Sequence, residues 1–112
     1  MLIERLTPVG DPEITRPDPA RLIEGDPVHR NWTAEEEAGL YCGIWESTPG
    51  AWRVCYDEWE YCRILAGRSV IEGAAGERLE VGPGDAFLIR PGFQGIWRVI
   101  ETTRKDYVIL IR

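Results

Sequence analysis

Glu60 and Cys62 stand two residues apart in "EYCRIL", and Lys105, Tyr107 and Ile109 alternate in "KDYVIL". On an extended strand, residues i, i+2 and i+4 share one face. The first pair offers a carboxylate and a thiol; the second set offers an ammonium and a phenol. Trp52, Val54 and Tyr56 alternate in the same way upstream, and Gly95, Trp97 and Val99 downstream. If these faces converge, a carboxylate and an ammonium meet among aromatic rings. They must then pair or change protonation, because a buried unpaired charge is costly. Such a pair can be a structural plug, can bind a zwitterionic or amide-bearing metabolite, or can move a proton with Glu60 as base and Lys105 as acid or electrostatic clamp. Lys105 could also lower the pKa of Cys62. No Cys-His pair is available to activate it, so a buried inert thiol is expected.

The elements that would position these groups are read as strands. The chain has 112 residues, which suits one domain with one core. From Leu40 onward, short runs rich in β-branched and aromatic residues are divided by Gly, Pro and Asp. Strands are expected near 40–46, 51–56, 60–66, 68–73, 77–81, 86–90, 95–101 and 105–111. The connections "STPG", "GAAGE", "GPGD" and "RPGFQG" are turn-like. No sustained period of 3.6 competes, so the pattern predicts an all-β sandwich or barrel. By alternation, Arg53, Arg63 and Arg90 face away from the proposed cavity. Trp45 is expected in the core, Trp97 on a cavity wall, and Trp59 turned away from Glu60.

Residues 1–39 read differently. Pro8, Pro12, Pro17, Pro19 and Pro27 are five of the eight prolines. Proline lacks a backbone donor and restricts the residue before it. The segment therefore reads as an extended arm packed on a barrel domain at 40–112, or on a partner. Within it, "TAEEEAG" (33–39) pairs Thr33 with Glu36 in a capping-box pattern, compatible with one helical turn or with a tight loop.

A formal charge of −6 argues against nucleic acid and anionic membrane surfaces, which select basic patches. No apolar run approaches the roughly 20 residues of a spanning helix. The first residues, "MLIERLTPVG", lack the apolar core of a secretory signal. The three cysteines form no C-x-x-C pair. Reduced thiols and a cytoplasmic location are the expectation.

Several segments resemble the cupins, small jelly-roll (double-stranded β-helix) barrels. Glu60 followed after six residues by Gly67, in "EYCRILAG", is similar to the end of the first cupin motif. Gly84-Asp85, Pro91 and Gly92 are similar to the second, with the proline displaced by one position. The segments "GIWESTPG" (43–50), "YDEWEYCRILAG" (56–67), "GDAFLIRPGFQGIW" (84–97) and "RKDYVI" (104–109) resemble, in order, those of small single-domain cupins grouped with the cupin domain of ureidoglycine aminohydrolases and related to ethanolamine-utilisation proteins. The resemblance implies a jelly-roll barrel with Glu60 facing inward. The inward set is then Tyr56, Glu60, Cys62, Trp97, Lys105 and Tyr107 as ligand-binding residues, with Glu60 and Lys105 as candidate catalytic groups. Pairing of sheet edges in a homodimer is expected for the fold.

The family's metal site needs three histidines and a carboxylate. Carried onto this chain, the first two histidine positions fall on Val54 and Tyr56, or on Arg53 and Cys55, and the third on Gly95. Only Glu60 matches. The chain's single histidine, His29, precedes the barrel and stands outside both motifs. No metal ligand set and no cofactor are therefore predicted, although a divalent ion held by Glu60, Cys55 and Cys62 is conceivable. Gly95 is expected to leave space for an organic ligand. The residues favour a cupin-fold protein that binds a small metabolite without the usual metal. The alternatives are a metal-dependent enzyme of the ureidoglycine aminohydrolase type and a non-catalytic dimeric module.

Overall fold

A computed structural model describes residues 2–111. All regular structure among them is β: β1 (Glu13–Thr15), β2 (Leu22–Gly25), β3 (His29–Glu37), β4 (Leu40–Ser47), β5 (Gly50–Cys55), β6 (Trp59–Gly73), β7 (Arg78–Val81), β8 (Ala86–Ile89) and β9 (Gln94–Leu110). Every pairing is antiparallel. The sheet runs β1-β3-β4-β9-β5-β2, and β6 crosses from β9 to β7 and β8. The sheet thus curls into a half-barrel around a core of Trp52, Cys62, Ile64, Ile71, Val81, Ile89, Trp97 and Val99.

Two long strands organise this curl. The breaks expected near Gly67 and residues 102–104 do not end the strands. β6 pairs β8 through residues 60–63 and β7 through 69–72, while β9 pairs β5 through 94–99 and β4 through 103–110. The register between β6 and β9 shifts between Ile64 and Ser69. Gly67 takes φ +86° there, and a Cβ would run into the Thr102 carbonyl. A glycine absorbs the bulge, so both strands bend and continue. At the same level the Ser69 and Thr103 hydroxyls bond at 2.7 Å, and Trp97 Nε1–H donates to Ser69 Oγ at 3.2 Å.

The segment before residue 40 is extended, but from Glu13 much of it joins the sheet. β1 pairs β3, β2 pairs β5, and β3 pairs β4 along its whole length. The helical turn compatible with 33–39 does not form. Thr33–Glu37 is strand, with a bulge between Thr33 and Glu35. Ala38 and Gly39 carry the hairpin turn with φ of 52° and 82°. Two successive positive φ values match the twist of a two-residue hairpin, and pairing with β4 outweighs the local capping pattern. The Pro91-Gly92 turn closes with Phe93 N–H donating to the Arg90 carbonyl at 3.1 Å. Gly92 supplies the positive φ that such a turn requires after proline.

Candidate functional site

A pocket of about 410 Å³ opens on the concave side of the half-barrel. Most of its wall comes by alternation from five strands: His29, Asn31 and Thr33 from β3, Tyr41 and Trp45 from β4, Trp52 from β5, Glu60 from β6, and Trp97, Lys105, Tyr107 and Ile109 from β9, with Glu13 of β1 at the edge. Cross-strand register aligns them. Asn31 and Lys105 both stand opposite Trp45, on its two sides, and Trp52 stands opposite Trp97.

At the floor, Lys105 Nζ donates to Glu60 Oε2 at 2.7 Å. Both residues are nearly inaccessible, 5% and 2% exposed. The Cys62 thiol donates to the same oxygen at 3.1 Å, and Lys105 Nζ lies 3.5 Å from its sulfur. The ammonium also sits over the rings of Trp45 at 4.9 Å and Trp97 at 4.6 Å, where the ring quadrupole favours a cation. Burial pulls the Lys105 pKa down. Cys62 and Glu60 beside it outweigh burial, and the group stays charged above the usual lysine range. Burial pushes the Cys62 thiol up to about 12, so it is a neutral thiol at pH 7 and not a nucleophile. Burial also raises the Tyr56 phenol above its ordinary value. Tyr107 O–H donates to Asn31 Oδ1 at 2.8 Å.

Of the six binding residues expected from sequence, Tyr56, Glu60, Trp97, Lys105 and Tyr107 line this pocket. Cys62 lies behind the wall, fully buried under Glu60. Trp45, expected in the core, borders the pocket while packing against the core. Arg53, Arg63 and Arg90 are exposed, and Arg63 pairs with Asp106 at 2.6 Å.

Two expectations are corrected. Gly95 adds no room to this pocket: it does not line it, and a Cβ there would run into the Glu72 carbonyl and meet the Phe93 ring at 2.9 Å. Glycine at this position lets β6 and β9 approach closely, opposite Gly73. His29 is not remote from the site. It opens β3 and borders the pocket, its ring 4.5 Å from Trp52 and 5.2 Å from Trp45. Its Nε2 is buried with no hydrogen-bond partner among the described residues, a situation that costs about 1–3 kcal/mol. Burial, reinforced by the charge of Lys105, lowers its pKa to about 4, so the ring is neutral at pH 7. The alternation of His29, Asn31 and Thr33 in "HRNWT" was the signal for this face. It stayed hidden because the segment read as an arm rather than a strand.

The residues present do not fit the metal site of the wider fold. The one matching carboxylate, Glu60, is engaged by Lys105 and Cys62. The third histidine position admits no side chain. Among the described residues, no three His, Cys, Asp or Glu side chains gather to hold an ion.

Residues 34–107 match the model of the EutQ-like cupin domain. The chain belongs to that family. The cupin assignment agrees with solved structures. A DUF861-family protein of unknown function from Pseudomonas syringae superposes with a TM-score of 0.83 at 26% identity, over 93% of this chain and 46% of the other. This cupin domain thus spans less than half of that protein's length. A DUF861-family protein from Thermotoga maritima is 31% identical with a TM-score of 0.56, over 57% of this chain and 73% of its own. EutQ of Clostridium difficile shares the fold at 18% identity and a TM-score of 0.68, over 75% and 68% of the two chains. No curated protein matches the chain. No helix among the described residues is long and apolar enough to cross a membrane.

Proposed function

We propose that this EutQ-like cupin domain binds a small organic metabolite in the pocket above the Glu60–Lys105 pair, without a histidine-bound metal. The observation that carries this reading is a solvent-open aromatic pocket whose floor is a fully buried ion pair. A concave, largely aromatic cavity with a few convergent polar groups is the usual form of a small-molecule site. The pair neutralises itself, so the pocket accepts a ligand without stranding either charge. Glu60 and Lys105 would then orient the ligand. Proton transfer between them and a bound substrate is open to the same geometry. A metal-dependent hydrolase of the ureidoglycine aminohydrolase type finds less support, because Gly95 cannot be replaced by a ligand and Glu60 is already paired.

A thermal-shift screen of small metabolites tests the reading. Hits are expected to stabilise the native protein by mass action and to lose that effect when Trp45 or Lys105 is replaced. A hit whose effect survives both replacements would place binding elsewhere, and the proposal would fall.

A further inference from the structure

The unpartnered nitrogen of His29 and the charges around the pocket together constrain what the pocket takes; the inference rests on the ligand-binding reading above. Nε2 is the one buried side-chain nitrogen or oxygen without a hydrogen bond among the described residues, and its ring forms part of the pocket wall. No protein group supplies the missing bond, and the nitrogen itself is shut off from solvent, so a group entering from the pocket would supply it once the ring turns toward the opening. The charged lining residues are Glu13, Glu36, Glu58, Glu60 and Lys105. Glu60 and Lys105 cancel each other. Glu13 and Glu36 are exposed and Glu58 is half-buried, and all three leave the pocket negative. A carboxylate or phosphate would enter against that field. An N–H-bearing molecule of neutral or positive charge would meet acceptors, and its flat part could stack on the half-buried Trp45 beside His29.

We propose that His29 Nε2 is the polar anchor of this pocket, accepting a hydrogen bond from a small, flat molecule that carries an amine, amidine or amide N–H and no net negative charge. Neutral imidazole has one acceptor nitrogen and one N–H. The acidic rim favours a ligand that donates, which calls for the tautomer protonated on Nδ1, and the ring packs against Trp45 and Trp52.

Three probes of one shape separate the possibilities: benzamidine, benzamide and benzoate, at millimolar concentration with tag-free protein. The chain has a single histidine, so 15N-histidine labelling yields one imidazole, whose two ring nitrogens are told apart by their couplings to the ring protons. Benzamidine, and more weakly benzamide, is expected to raise Tm and move that resonance, while benzoate does neither. His29→Phe keeps a ring between the tryptophans and removes the nitrogen. It is expected to fold with an unchanged or higher Tm and to bind benzamidine about tenfold more weakly, the size of one lost hydrogen bond. Benzoate binding as tightly as benzamidine overturns the ligand class. Benzamidine saturating the pocket without moving Nε2, or binding His29→Phe equally well, overturns the role of His29, and the first of these can be read even if the variant fails to fold. If backbone resonances show benzamidine bound away from the pocket, or no probe binds, the pocket reading itself fails and the inference goes with it.

Discussion

Lys105 and Glu60 form a buried ion pair although they are not cross-strand neighbours. In the β6–β9 register Lys105 lies opposite Ile64 and Glu60 opposite Ile109. The lysine stem therefore runs back along the sheet, under Trp45 and Trp97, to reach the carboxylate at 2.7 Å. Breaking one side of such a pair leaves an uncompensated charge. Lys105→Met and Glu60→Leu are each expected to destabilise by roughly 3–5 kcal/mol, while the double variant recovers most of that loss. Denaturant unfolding of the three variants reads the coupling directly. Additive losses would mean that the pair is not the interacting unit.

Acid should weaken the fold through His29. Its folded pKa of about 4 lies below the ordinary 6.5, so between these values the unfolded chain binds a proton that the folded chain refuses. Stability therefore rises with pH across that window and falls as pH drops from about 6.5 toward 4. His29→Phe should flatten this part of the profile. Equal slopes for the variant and the native protein would show that His29 does not carry the effect.

Gly95→Ala is expected to destabilise by roughly 1–3 kcal/mol, because its Cβ meets the Glu72 carbonyl on the neighbouring strand rather than an open cavity. Gly95→His should be worse still and should create no metal site. A variant as stable as the native protein, or one that gains a tightly held ion, would contradict the close approach of β6 and β9.

Metal analysis of tag-free protein, before and after exposure to Mn, Fe, Ni and Zn, should give substoichiometric contents throughout. The single matching carboxylate is already bonded by Lys105 and Cys62. One retained ion per chain would revive the metal-dependent hydrolase reading.

Much of the barrel was legible along the chain because strand signals are local. The alternation of Lys105, Tyr107 and Ile109 and the Pro91-Gly92 turn each act over a few residues, and alternation along each strand, with the cupin resemblance that turns Glu60 inward, puts Tyr56, Glu60, Trp97, Lys105 and Tyr107 on the faces that line the pocket. What lay beyond reach depended on pairing across long separations. Whether "TAEEE" becomes a helical turn or a strand is decided by β4, which takes up its backbone bonds. Whether Gly95 opens space or closes it is decided by Glu72 on β6. Whether His29 is remote or central is decided by β3 laying it against Trp45 and Trp52. Local sequence specified which faces were apolar and where the chain could turn, since both follow from side-chain type and backbone dihedrals. Only the curled sheet could decide which of those faces share one pocket, because convergence of β3, β6 and β9 is a property of register and curvature that no single segment contains.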